Sequence, residues 1–149
     1  MIRGKLMLAL ACSLAAAVAI PSALARGTSE EKQQLLANTA GDCTVGATGG
    51  TPMEKSFVIM RESDGKVGAK IRLRGAPHDG AWGIEFDQRP LEGCDGFDGF
   101  ITTNSKGNGT AHVSEPVLPG NTGAFVRLIP LNANAGPLGV IANEGADLS

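Results

Sequence analysis

The chain has no tyrosine, one tryptophan (Trp82) and five phenylalanines in 149 residues. Tyrosine is therefore excluded as nucleophile, proton donor or iron ligand, and a lone indole cannot build a stacked aromatic platform for sugar rings. Histidine is equally scarce, with only His78 and His112. No Cys-x-x-Cys is present, and no Gly-x-Ser-x-Gly frames a serine nucleophile. Catalytic and metal motifs of the familiar kinds are thus missing, and no resident cofactor is implied. After residue 20 there is also no long apolar run, so the core must come from short segments.

The one long apolar run lies at the start. Arg3 and Lys5 precede a fifteen-residue apolar stretch from Leu6 to Ile20, and Pro21 leads into Ala23, Leu24 and Ala25. A basic start, an apolar centre and a small-x-small end read as a signal peptide over residues 1–25, cut before Arg26. Fifteen residues fall short of the roughly 20 that a spanning helix needs, so no stable membrane insertion is expected after cleavage. Cys12 leaves with the signal. The remaining protein is expected to be periplasmic or secreted.

Of the thirteen basic residues two belong to that signal and none of the fifteen acidic ones does, so the mature chain has eleven against fifteen, a formal charge of −4. An acidic domain argues against nucleic acid as a partner. Two cysteines remain, Cys43 and Cys94, in a compartment where thiols oxidise, and they read as a disulfide. With the two 51 positions apart, the bond would contribute about 4 kcal/mol through loss of unfolded-state entropy.

Thr28 and Glu31 have capping-box spacing, Glu30 and Glu31 suit a positive helix start, and Gly41 could end the element. A short helix is therefore expected from Thr28 to Asn38, within a leader over residues 26–52 whose glycine- and threonine-rich end, 41–52, reads as loop or irregular edge strand. Beyond Pro52 short apolar alternations recur, separated by Gly, Pro, Asn and Asp, and mark strands at 55–62, 66–74, 81–87, 99–103, 110–117, 123–131 and 137–142. About seven antiparallel strands suggest an all-β sandwich over 53–149, Ig-like or a related Greek key.

Val67, Ala69, Ile71 and Leu73 alternate with Lys70, Arg72 and Arg74, and Trp82, Ile84 and Phe86 alternate with Glu85 and Asp87. Each strand thus has one apolar face. Pairing these two across the loop 75–80 would set Lys70 opposite Glu85. A second hairpin, with Thr103 opposite Thr110, would put Phe100, Thr102, Ala111 and Val113 on one face and Ile101, His112 and Ser114 on the other.

The run Ile71, Arg72, Leu73, Arg74, Gly75, Ala76, Pro77, followed by a tryptophan strand, Cys94 and Ile101 to Gly109, resembles exported bacterial β-sandwich domains. In these a strand ending in Leu-x-Gly-x-Pro precedes a Thr-Thr-x-x-x-Gly-x-Gly hairpin. The resemblance spans residues 55–130 and implies architecture, since its motifs specify turns. A fainter resemblance is to copper-zinc superoxide dismutases, which are also sandwiches with an intramolecular disulfide. Their metal site needs a His-x-His pair, and Trp82, Ile84 and Glu85 stand at the matching positions.

Four groups of residues could carry chemistry or binding. His78 and Asp79, beside Trp82, could form a base oriented by a carboxylate, although Asp79 and Gly80 are also a turn signal. Asp95 and Asp98 could offer oxygens to calcium, which wants six to eight, without EF-hand spacing. Lys70, Arg72 and Arg74 form a basic stripe suited to an anionic glycan or the acidic face of a protein. Cys43 and Cys94 form the disulfide. The expectation is an exported, non-catalytic binding or structural module with a protein or glycan partner, the alternative being a small hydrolase or metal-dependent enzyme using the loop of His78 and Asp79.

Overall fold

The computed structural model describes residues 29–42, 46–90, 96–140 and 146–147. Within them the fold is all-β and antiparallel, with strands β1 (Ser29–Ala37), β2 (Ala40–Asp42), β3 (Gly46–Thr48), β4 (Thr51–Ser63), β5 (Lys66–Leu73), β6 (Ala81–Arg89), β7 (Gly99–Thr102), β8 (Gly109–Pro116), β9 (Gly123–Pro130), β10 (Leu138–Gly139) and β11 (Ala146–Asp147). The seven strands read from alternation after Pro52 are all present, with ends shifted by a few residues.

Eight of the eleven strands follow one hydrogen-bonded path, β7-β6-β9-β10-β1-β4-β5-β8, with β11 extending the pairing of β9. The two path ends lie side by side. A Cβ on Gly109 in β8 would collide with the Thr102 carbonyl of β7, and one on Gly99 would come within 3.0 Å of Val113 Cγ1. The sheet is therefore nearly closed, and inward residues of every strand share one interior. Val58, Met60, Val67, Ile71, Leu73, Trp82, Ile84, Val126 and Leu128 are fully buried there. The β4–β5 hairpin turns through Asp64 and Gly65, at φ 53° and 70°, the paired positive angles of a type I′ turn.

The helix expected from Thr28 to Asn38 is a strand. β1 pairs with β4 from Ser29↔Glu62 to Ala37↔Thr51, and its far end pairs with β10. A lone helix of this length is marginal in water, and two leucines could bury little of it. As a strand the segment supplies partners to two ladders and seats Leu35 wholly in the core. Tertiary pairing overrides local propensity here. In the segment 41–52, β2 and β3 form a separate small hairpin, and Ala47 packs against the backbone at Gly139 of β10.

Both expected hairpin pairings are replaced. β5 lies between β4 and β8, whereas β6 lies between β7 and β9. Lys70 therefore stands between Ile59 and His112, and Glu85 stands opposite Arg127, with Arg127 Nη1 3.2 Å from Glu85 Oε2. Thr103 is not opposite Thr110, because β7 pairs with β6. Ile101 is buried beside Val113, whereas Phe100 is 65 % exposed, the reverse of the expected facing. Alternation defines which residues share a face but not which strand lies alongside.

Polar residues brace the lower interior. Gln88 in β6 is 1 % exposed; its Nε2 donates to Glu115 Oε1 at 3.0 Å and to the Pro116 carbonyl at 2.8 Å. Its Oε1 accepts from the Leu118 N–H at 2.8 Å. One amide thus ties β6 to the end of β8, two strands that share no ladder.

Candidate functional site

The registers arrange the outer face of β1, β4, β5 and β8 in rows. Glu30, Arg61, Gly68 and Ser114 form one; Lys32, Ile59, Lys70 and His112 the next; Gln34, Phe57, Arg72 and Thr110 the third. Ser63, Lys66 and Pro116 lie one pleat below, and Lys55 and Arg74 continue the same outward phase one pleat above. The basic stripe Lys70, Arg72 and Arg74 is thus part of a wider surface.

Seven of the chain's thirteen Lys and Arg residues (Lys32, Lys55, Arg61, Lys66, Lys70, Arg72 and Arg74) stand on this face; among the described residues Glu30 shares it, and Asp64 and Glu54 line recesses at its edges beside Lys66 and Lys32. Seven cations against these three acids give the surface a formal +4 in a chain whose total is −2. Among the described residues, no ion pair joins any of these seven to a carboxylate. Two of them instead use a ring: Lys32 Nζ lies 4.0 Å from the centroid of Phe57, and Arg72 Cζ lies 5.8 Å from it. That contact holds their stems against the sheet while leaving the charges outward.

Within the second-lowest row Gly68 leaves a gap. A groove of about 640 Å³ opens there, lined among others by Arg61, Ser63, Lys66, Lys70, His112 and Ser114, with Glu30 and Asp64 at its rim. A Cβ on Gly68 would come within 3.0 Å of the Val113 carbonyl and 3.1 Å of Ser114 Cβ. The groove exists because this one outward position of β5 has no side chain.

The other sequence-derived residues do not converge. His78 and Asp79 do touch, Nδ1 to Oδ2 at 3.1 Å, but their side chains are 72 % and 63 % exposed. The Asp79 backbone is held from both sides, its carbonyl accepting from Asn132 Nδ2 at 2.9 Å and its N–H donating to Asn104 O at 3.4 Å. Trp82 is fully buried in the core, and its Nε1 donates to the Gly136 carbonyl at 2.6 Å. It is a structural pillar beneath that loop and does not line it. Asp98 accepts from the Phe86 N–H at 2.7 Å and donates its own N–H to Ile84 O at 2.8 Å, extending the β6 edge where the ladder with β7 stops. Cys43, Cys94 and Asp95 lie outside the described residues. Among the described residues, no cluster of three or more His, Cys, Asp or Glu could hold a metal ion.

Lys32, Lys55 and Arg61 were not singled out by the stripe, because they join it only through strand order, whereas Lys66 lies in the stripe's own phase on β5, separated from Lys70 by Gly68. A second surface feature also escapes a sequence reading. Phe97 lies over Gly83, whose Cβ would come within 2.6 Å of the ring, and meets Phe100 edge-on at 5.9 Å and 71°. Both rings are largely exposed, at 43 % and 65 %. The chain matches no known family model, no curated protein and no solved structure.

Proposed function

We propose that the chain is an exported, non-catalytic binding module that engages an anionic partner through the outer face of β1, β4, β5 and β8. The observation that carries this reading is the segregation of charge, seven cations against three acids on one surface of a chain whose total is −2. Outward residues two apart on a strand are about 6.6–6.8 Å apart, inside the Debye length of about 8 Å at physiological salt. The cations therefore repel one another, and a bound polyanion relieves that repulsion while the acidic remainder steers its approach. Acidic glycans and the acidic surfaces of proteins share the required chemistry.

Export rests on the signal over residues 1–25, and it makes Cys43 and Cys94 a disulfide. The architecture reads as a Greek-key barrel flattened toward a sandwich: the connections from β5 to β6 and from β8 to β9 cross between non-adjacent strands. A second reading, a hydrolase or metal-dependent enzyme, has one supporting observation, the contact of His78 with Asp79. It requires a third partner for that pair.

The test is retention of the mature protein on an immobilised sulfated polymer such as dextran sulfate across a salt gradient. Wild type should bind at low salt and release as salt rises; Lys70→Glu with Arg72→Glu should not bind while keeping its melting temperature. No retention of wild type at low salt would reject the binding reading, and stoichiometric copper, zinc or iron in the purified protein would favour the enzyme.

A further inference from the structure

We infer that the groove at Gly68 is a subsite for one uronic-acid ring of an acidic polysaccharide. This rests on the anionic-partner reading and adds the ligand class. Gly68 has Arg61 and Ser114 as lateral neighbours on β4 and β8, and Lys66 and Lys70 two residues to either side along β5. Strands lie about 4.8 Å apart and residues rise about 3.3 Å along them. The pit is therefore about 10 Å across the strands and about 13 Å along β5. Its lining holds three cations, Arg61, Lys66 and Lys70, against two carboxylates, Glu30 and Asp64, and so is net positive by one charge.

A pit of about 640 Å³ exceeds what a bare phosphate or sulfate fills and suits a ring with its substituents, lying within the usual range of about 300–1,000 Å³ for ligand sites. Its chemistry is mixed in the way a uronate ring is mixed. Arg61 and its lysine neighbours suit a carboxylate, as charge-assisted donors. Ser63, Ser114 and His112 offer hydrogen bonds to ring hydroxyls. The uncovered backbone at Gly68 and the half-buried Ile59 beside it present a surface on which the apolar edge of a ring can rest. The groove is open, and Lys70, Arg72 and Arg74 continue from it along β5, so the polymer can run on past the subsite. A flat acidic peptide would need the cations but not the pit.

The experiment is calorimetric titration of the mature protein with a hexamer of galacturonate, its methyl-esterified form, hexaglutamate and inorganic phosphate, at one ionic strength. The galacturonate hexamer should bind about tenfold or more tighter than hexaglutamate, a difference that hydrogen bonds to the ring hydroxyls, which the peptide lacks, can supply, and esterification should abolish binding. Ser114→Phe, which fills the pit from an exposed position without changing charge, should remove that preference while leaving retention on dextran sulfate intact. Gly68→Val should do the same if it folds. Equal binding of galacturonate and hexaglutamate, saturation by phosphate at the same concentration, or an unchanged preference in Ser114→Phe would overturn the subsite while leaving the basic face standing. Loss of dextran sulfate retention in wild type would instead remove both.

Discussion

Gln88 offers the sharpest test of how the sheet is held closed. Replacing it with methionine keeps the volume and deletes three hydrogen bonds, to Glu115 Oε1, to the Pro116 carbonyl and from the Leu118 N–H. Each bond has a net value of about 1 kcal/mol, so the gross loss is about 3 kcal/mol. Leu118 and Pro116 are exposed, so water can reach the abandoned backbone groups, and burying a thioether in place of an amide recovers about 1 kcal/mol. The expected destabilisation is about 2 kcal/mol, and for a domain of this size Tm should fall by roughly 6–12 °C. Trp82, the only tryptophan and fully buried, reports unfolding directly, so urea titration followed by fluorescence gives the change in midpoint at constant m. Gln88→Glu should cost more than Gln88→Met, since it sets a second carboxylate beside Glu115 and removes both donors. A change below about 0.5 kcal/mol for Met, the range of ordinary surface substitutions, or a Glu variant as stable as wild type, would refute the bracing role.

Thr103 is 6 % exposed; its hydroxyl accepts from the Gly80 N–H at 2.9 Å and donates to the Pro77 carbonyl at 2.6 Å. Thr103→Val should therefore cost about 1–3 kcal/mol and increase proteolytic cutting near residues 77–80, whereas Thr103→Ser should retain most of the stability; equal losses for both would point to the methyl group instead. For the cysteines, thiol titration of the denatured mature protein should find no free thiol, and reduction should lower stability by about 4 kcal/mol in the chain-entropy picture. Two titratable thiols would remove the disulfide.

Strand positions were legible because a half-buried strand shows its period of two directly. Val67 to Arg74 and Trp82 to Asp87 carry that period without a break, and their inward residues are all buried, although in β6 Asp87 of the other phase is buried as well. β1 was not legible for the opposite reason. Its inward phase is Ser29, Glu31, Gln33 and Leu35, three polar residues before one leucine, so the alternation is real in the fold and invisible in hydropathy. Neighbour relations were not legible either. Trp82 and Ile71 have equally good apolar faces, and nothing in either strand states that one pairs with β9 and the other with β8.

The same distinction explains what could be read of the candidate site. Lys70, Arg72 and Arg74 are recoverable because they occupy alternate positions of a single strand, so their common face follows from local geometry alone. Arg61, Lys32 and Lys55 enter the surface through two ladders and a hairpin turn, and only the register of β4 with β1 and β5 brings them alongside. Gly68 is the deciding case. In sequence it is a weak point in an otherwise alternating strand, a residue that costs packing and backbone entropy. In the fold it falls on the outward phase between Arg61 and Ser114, where the missing side chain removes nothing from the core and opens a recess among the cations. A glycine on the inward phase, one residue earlier or later, would have left a hole in the core instead. Phase relative to the sheet, which no single strand reveals, is what turns the same residue from a defect into a candidate subsite.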